Sequence, residues 1–194
     1  MTGLPVAQFR SSPRLRQPRA GFGIKRDATT HDVLGRVFGF AVMSKLSAVH
    51  SARVETIATA SLTVATSGEG FYEITRDVAR FLEQSKARHG AVLVYLKHTS
   101  ASLVIQENAD ADVRTDLVTA LKRLAPAAGG WVHDVEGPDD MPAHIKSMLN
   151  GVSLHVPVID GHLGLGMWQG IYLAEHRAQP HSREVVLQFI GFCQ

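Results

Sequence analysis

Residues 91–107 read AVLVYLKHTSASLVIQE, an apolar run, a cluster of one histidine and three hydroxyl side chains, and a second apolar run. Short apolar runs rich in Val, Ile and Leu and bounded by polar residues are strand signals. Residues 91–97 are therefore predicted as a buried strand, His98 to Ser102 as a turn and residues 103–107 as the next strand. The hydroxyls of Thr99 and Ser100 suit backbone capping in such a turn. His98, at a strand end, stands where ligand-binding side chains often lie.

The same signals recur on both sides. Residues 54–65 are rich in β-branched side chains, and Leu62 and Val64 alternate with Thr63 and Ala65. Residues 152–158 read as a strand, Asp160-Gly161 as a turn, 163–173 as a strand region broken by Gly164, Gly166 and Gly170, and 183–192 as a closing strand. Helical spacing appears three times. Ile74, Val78, Phe81 and Leu82 form one stripe, with Thr75 as N-cap and Gly90 as the stop after Lys86 and Arg88. Residues 110–124 turn Val113, Leu117, Val118, Leu121 and Leu124 towards the core, with Asp110, Asp112 and Asp116 at the positive end and Lys122 and Arg123 at the other. Residues 142–150 begin with Pro142 in the first turn, Asp140 as cap, and end at Gly151. Strands outnumber helices and several are linked as hairpins, which predicts an α+β fold with a largely antiparallel sheet system.

A chain of 194 residues, 45% hydrophobic and 20% charged, suits one domain with an appendage. No apolar run approaches the roughly 18 residues of a membrane span. The single cysteine, Cys193, excludes an internal disulfide framework and a cysteine-rich zinc site, and fits a reducing, cytoplasmic setting. The net charge of +2 conceals a division: residues 1–50 hold eight basic and two acidic side chains, the remainder 12 and 16. The basic balance thus belongs to the head and gives no argument for nucleic acid binding by the body. Residues 1–50, rich in Arg, Pro, Gly and Ser, are predicted as a disordered basic extension before a domain at 51–194. A transit peptide and a basic tail compete with a third, preferred reading, in which Met43 is the natural start and 1–42 a leader.

Residues 131–146, WVHDVEGPDDMPAHIK, pack two histidines and four acids into one loop shaped by Gly137, Pro138 and Pro142. Carboxylates this dense repel one another unless protons or cations compensate them. A solvated acidic loop is the competing reading. Two more polar clusters end strands: His98 with its hydroxyls, and Glu175-His176-Arg177. Histidines with carboxylates match the donor set of zinc or a similar divalent ion. The spacing is unspecific, since His133 and His144 lie eleven apart with no HExxH helix. His155 and His162 are read as strand and turn residues, and His31, His50, His89 and His181 as solvated.

HTSASL at 98–103, EN at 107–108, HDxEGxDDMPxHIK at 133–146 and WQGIxLxEHR at 168–177 closely resemble the YjbQ family, whose members are often labelled secondary thiamine-phosphate synthase enzymes. The match runs from about residue 54 to 191 and leaves the head outside. The resemblance implies a fold of helices packed on a sandwich of mixed and antiparallel sheets, and assembly as a homotrimer. It also implies a reaction joining hydroxymethylpyrimidine diphosphate to thiazole phosphate with release of pyrophosphate. A divalent ion, zinc or magnesium, would neutralise the diphosphate. Under it, His133, His144 and His176 are the metal-ligand candidates, with Glu136 and Asp139 as alternates. His98, Glu175 and Asp134 are the acid/base candidates, although His98 and Glu175 could equally be a hydrogen-bonded pair at a subunit interface. Ser100, Ser102, Asn108, Lys146 and Arg177 are the phosphate-binding candidates. Two rival functions remain: a metal-dependent hydrolase of phosphate or other esters, and a non-catalytic trimer with a structural metal.

Overall fold

Eight strands and three helices follow one another in the computed structural model, which describes residues 46–49 and 51–194. The expectations for residues 1–45 and His50, the start at Met43 among them, lie outside the described residues. In chain order the elements are β1 (Thr56–Thr66), β2 (Gly70–Glu73), α1 (Thr75–Gln84), β3 (Ala87–Leu96), β4 (Ala101–Glu107), α2 (Ala111–Leu124), α3 (Asp140–Asn150), β5 (Ser153–Ile159), β6 (His162–Leu163), β7 (Gln169–Glu175) and β8 (His181–Cys193). They make two sheets, ordered β1-β8-β3-β5-β6 and β2-β7-β4. Every pairing among the described residues is antiparallel, so the fold is α+β without the mixed sheet that the resemblance implied.

One core lies between the sheets. Val92, Val94 and Leu96 of β3, Val156 and Val158 of β5, and Val185, Leu187 and Phe189 of β8 meet Ala101 and Leu103 of β4 and Ile171 and Leu173 of β7. The period of two puts these side chains on one face of each strand. Full burial of such a side chain contributes about 1.5–3 kcal/mol. The run at 91–97, predicted as a buried strand, is covered on one face only, and Tyr95 is 43% exposed. Residues 97–100 do not close a hairpin. They carry the chain from one sheet to the other, because β3 pairs with β5 and β8 whereas β4 pairs with β7.

The helices differ from expectation at their ends. At α1, Ile74 holds the N-cap position, while the Thr75 hydroxyl accepts the Ile171 N–H at 2.9 Å. Its stop is Ser85, whose N–H donates to the Phe81 carbonyl, followed by Lys86 at φ 53°. Gly90, expected as that stop, lies inside β3 directly opposite Gly191 of β8. A Cβ on Gly90 would run into the Ile190 carbonyl, and one on Gly191 into the His89 carbonyl. In α2 Asp110 caps as expected, accepting the Asp112 N–H at 2.8 Å. Its apolar stripe, however, does not reach the core: no residue of α2 is buried and Leu124 is 67% exposed. The helix sits at the periphery, its Arg114 guanidinium 5.7 Å from the Tyr172 ring.

Helix α3 starts earlier than predicted, with Asp140 as its first residue and Asp139 at the N-cap without a side-chain cap bond. Ser147 Oγ donates to the Ala101 carbonyl at 2.8 Å and Asn150 to Ser102 Oγ at 3.3 Å, so α3 lies along β4. The region 163–173 holds only two short strands, separated by a turn that Gly166 and Gln169 close with two hydrogen bonds. No helix among the described residues is long and apolar enough to cross a membrane.

The Gly90–Gly191 crossing yields a direct test of the sheet. Gly191→Ala forces the β3 and β8 backbones apart and should cost about 1–3 kcal/mol, read as a lower midpoint in denaturant unfolding. Wild-type stability would contradict this close approach.

Candidate functional site

Helical spacing places residues 140 and 144 on one face, one turn apart. The loop before α3 folds back over its first turn, with Gly137 N–H on the Asp134 carbonyl and Asp140 N–H on the Gly137 carbonyl, and delivers His133 to the same place. His133 Nε2 donates to Asp140 Oδ2 at 2.7 Å, and His144 Nε2 lies 3.5 Å from the same oxygen. Donor atoms of the three residues all lie within 4.8 Å of one another. Asp140 is 2% exposed, whereas the side chains of His133 and His144 remain 47% and 33% exposed. The group is anchored below and open above.

Hydrogen bonding places a hydrogen on Nδ1 of His144. Its Nδ1 lies 3.0 Å from the Thr99 carbonyl. A carbonyl only accepts, so Nδ1 carries the hydrogen and Nε2 of the neutral ring presents a lone pair. That nitrogen faces Asp140 Oδ2, a carboxylate oxygen, at 3.5 Å. Two acceptors in this arrangement repel unless a proton or a cation joins them. An imidazole whose other nitrogen donates to a carbonyl is also the usual state of a metal-ligating histidine.

The opposite side of Asp140 belongs to Arg177. Its Nη1 donates to Asp140 Oδ1, its Nε to Asp139 Oδ2 at 3.2 Å, and its Nη2 to the Glu136 carbonyl at 2.6 Å. Burial raises the Asp139 carboxyl, but the Ala178 N–H and Arg177 outweigh it and hold the group below the usual carboxylate range. Glu136 is mostly exposed, its carboxylate 3.6 Å from Arg177. Three carboxylates therefore surround one guanidinium, an excess of negative charge that suits a cation.

The remaining site candidates do not join this group. His176 stands apart from His133 and His144, buried, with Nε2 2.8 Å from Ser102 Oγ. Burial, then Lys146, lowers its pKa to about 4. Glu175 accepts five bonds: two from Arg183 at 2.6 and 2.7 Å, and one each from Thr66 Oγ1 and the N–H groups of His176 and Arg177 at 3.0 Å. Its burial would raise the carboxyl, yet the Arg183 bonds and the Arg177 N–H hold it low, so it has no proton to give near neutrality. His98 does not bond Glu175; its Nδ1 accepts the Ser100 N–H at 3.1 Å.

The phosphate-binding candidates are similarly engaged. Ser100 and Ser102 are buried, Lys146 is 4% exposed with Nζ 2.5 Å from Glu69 Oε1, and Arg177 is engaged at all three of its nitrogens as described. Asn108 follows the far end of β4, which pairs with Gln169, while His176 follows the opposite end of β7. That separation is roughly 20 Å along the strands. Asp134 is exposed and outside the group.

Four residues escaped the sequence reading. Asp140 was expected only as a helix cap, although its i,i+4 relation to His144 was a legible signal. Arg183 shares strand parity with the buried Val185, Leu187 and Phe189, which marks it as inward-facing. Glu69, between Gly68 and Gly70, and Thr66, at a strand end, carried no signal that distinguishes them from turn residues.

His176 generates a pH prediction. Its folded pKa lies below the unfolded value, so the unfolded chain binds the extra proton and stability falls as pH drops from 6.5 towards 4. The full effect is roughly 3 kcal/mol. In His176→Asn the slope of unfolding free energy against pH across that window should flatten; an unchanged slope would contradict a neutral, buried imidazole.

Comparison with known proteins agrees with this architecture. Residues 60–192 match the family described as UPF0047 protein YjbQ-like. A UPF0047 protein of Synechocystis sp. is 46% identical over 131 residues, 67% of this chain and 89% of the relative. The UPF0047 protein YjbQ of Escherichia coli O157:H7 is 40% identical over 68% of this chain and 96% of its own. The crystal structure of an uncharacterised YjbQ/UPF0047 protein from Clostridium acetobutylicum superposes with a TM-score of 0.64 at 36% identity, covering 68% of this chain and 99% of that one. A conserved hypothetical protein of Thermus thermophilus gives a TM-score of 0.60 at 40% identity, over 66% and 97%. None of these relatives carries an activity in its name. With most of its described residues inside the match, the chain belongs to the UPF0047, YjbQ-like family.

Proposed function

We propose that this protein is a metal-dependent hydrolase of small esters, with His133, Asp140 and His144 holding a divalent cation. The observation that carries the reading is the convergence of donor atoms of His133, Asp140 and His144 within 4.8 Å of one another, with Nδ1 of His144 tied to the Thr99 carbonyl so that its Nε2 faces Asp140 Oδ2 at 3.5 Å. Two imidazoles and one carboxylate favour zinc over magnesium, which prefers oxygen donors and water. A bound divalent ion supplies Lewis acidity and lowers the pKa of water beside it. A groove of about 810 Å³, lined by Tyr95, Lys97, His98, Thr99, His144 and Met148, opens beside the group and is of ligand size. Because Nδ1 of His98 accepts a backbone N–H, its Nε2 carries the hydrogen of the neutral ring. Burial, reinforced by Arg183, pushes the His98 pKa down, so near neutrality that ring is a hydrogen-bond donor able to orient a substrate oxygen.

The synthase-type coupling implied by the resemblance stands second, with the same cation serving as counter-ion to a diphosphate. Basic side chains would normally share that task. Here Lys146 and Arg177 are already matched by Glu69, Asp139 and Asp140. We also propose the homotrimer; the half-covered apolar stripe of Val113, Leu117, Val118 and Leu121 on α2 is surface that such an assembly would cover.

Metal uptake and turnover decide between these readings. Zinc titration should give one equivalent per chain, and Asp140→Asn and His144→Ala should each lower zinc affinity and ester turnover by about 100-fold or more. Retention of both by these variants would sink the proposal. Turnover restricted to the pyrimidine diphosphate and thiazole phosphate pair would favour the synthase, and metal uptake with no turnover a structural ion.

A further inference from the structure

We propose that Arg177 and the buried Glu175–Arg183 pair are positioning residues that hold Asp140 as a one-oxygen metal ligand. The inference rests on the metal reading above and concerns how the protein aims its carboxylate. Asp140 presents Oδ2 to His133 and His144, and gives Oδ1 to Arg177. The guanidinium is planar and donates in three directions, to Asp139, Asp140 and the Glu136 carbonyl, so its plane is fixed. A fixed fork fixes the carboxylate opposite it. Oδ1 is thereby withheld and Oδ2 alone is offered.

Arg177 is in turn placed by its backbone. Its N–H and that of His176 both donate to Glu175 Oε1 at 3.0 Å. Glu175 and Arg183 are each 1% exposed, and the carboxylate is further held by Thr66. A buried ion pair is a poor source of stability compared with apolar residues of the same volume. Its distinctive contribution here is directional: it points the chain so that residue 177 meets residue 140, 37 positions earlier in sequence. The relay thus runs from Arg183 through Glu175 and the Arg177 backbone to Oδ1 of Asp140, and none of these residues contributes a donor to the three-residue group.

The test compares wild type, Asp140→Asn, Arg177→Lys and Glu175→Gln in the full chain. Zinc affinity is measured by chelator competition, coordination by the visible absorption of the cobalt(II) form, and integrity by thermal unfolding of metal-free protein. Arg177→Lys keeps the charge and loses the fork; it should weaken zinc by about 10- to 100-fold and alter the cobalt spectrum, with metal-free melting close to wild type. Glu175→Gln should move affinity and spectrum in the same direction without touching Asp140. Wild type that takes up no zinc, or Asp140→Asn that binds as wild type does, overturns the metal reading itself. If uptake depends on Asp140 but Arg177→Lys keeps wild-type affinity and spectrum, only the positioning role is overturned. A Glu175→Gln protein that melts earlier yet binds zinc with unchanged affinity and spectrum reduces the ion pair to a structural part and removes it from the relay.

Discussion

The ion pair between Glu175 and Arg183 is the constraint on which the rest of the structure depends. Two fully buried charges lose several kcal/mol of hydration each, and only close geometry with complete hydrogen bonding offsets that. Here the carboxylate receives five bonds, and Arg183 also reaches Ser100 Oγ at 3.3 Å. Those partners come from the end of β1, the crossover between the sheets, the exit of β7 and the start of β8. Removing either member would leave the other charged and buried, at a cost of about 3–5 kcal/mol. The pair therefore joins the two sheets where their apolar core gives way to polar chain ends.

The functional group is built outward from that junction. The crossover at residues 97–100 supplies the Thr99 carbonyl that sets the His144 tautomer, and it places His98 beside the groove. The exit of β7 supplies Arg177, which reaches across to the first turn of α3. The loop before α3 supplies His133. Asp140 and His144 share α3, while His133, Arg177 and the Thr99 carbonyl come from three other segments that meet it there. This division also separates chemistry from scaffolding: the exposed rings of His133 and His144 are on the open side, while Glu175, Arg183, Ser102 and His176 are buried behind them.

Strand alternation and helix periodicity are local, and they carried most of the fold: six strand regions, the helix stripes and the stop at Gly151 were visible in the chain, whereas β2 was too short to show alternation and β6 and β7 read as one region. Gly90 was misjudged because a glycine after basic residues looks like a helix stop, whereas its real constraint is Gly191, a hundred residues away. The α2 stripe was misjudged because periodicity shows which face is apolar but not what lies opposite. At the site, the loop at 131–146 announced itself through composition, and two of its histidines do converge. What could not be read was partnership. Lys146, Arg177 and Glu175 look alike in sequence as free charges near a ligand, and only the tertiary structure shows each one matched by a residue between 8 and 77 positions away. Asp140 looked like a cap because caps are local, and its role depends on His133 and Arg177, which are not.

In the proposed site one divalent cation is held by His133, Asp140 and His144 with Arg177 behind the carboxylate. Anomalous diffraction at the zinc absorption edge, from crystals of the full chain grown with zinc, tests it most directly. The expected peak lies within bonding distance of His133 Nε2, Asp140 Oδ2 and His144 Nε2, with Oδ1 still on the guanidinium. A well-occupied peak at His176 or elsewhere, or no peak at this group under saturating zinc, would contradict it.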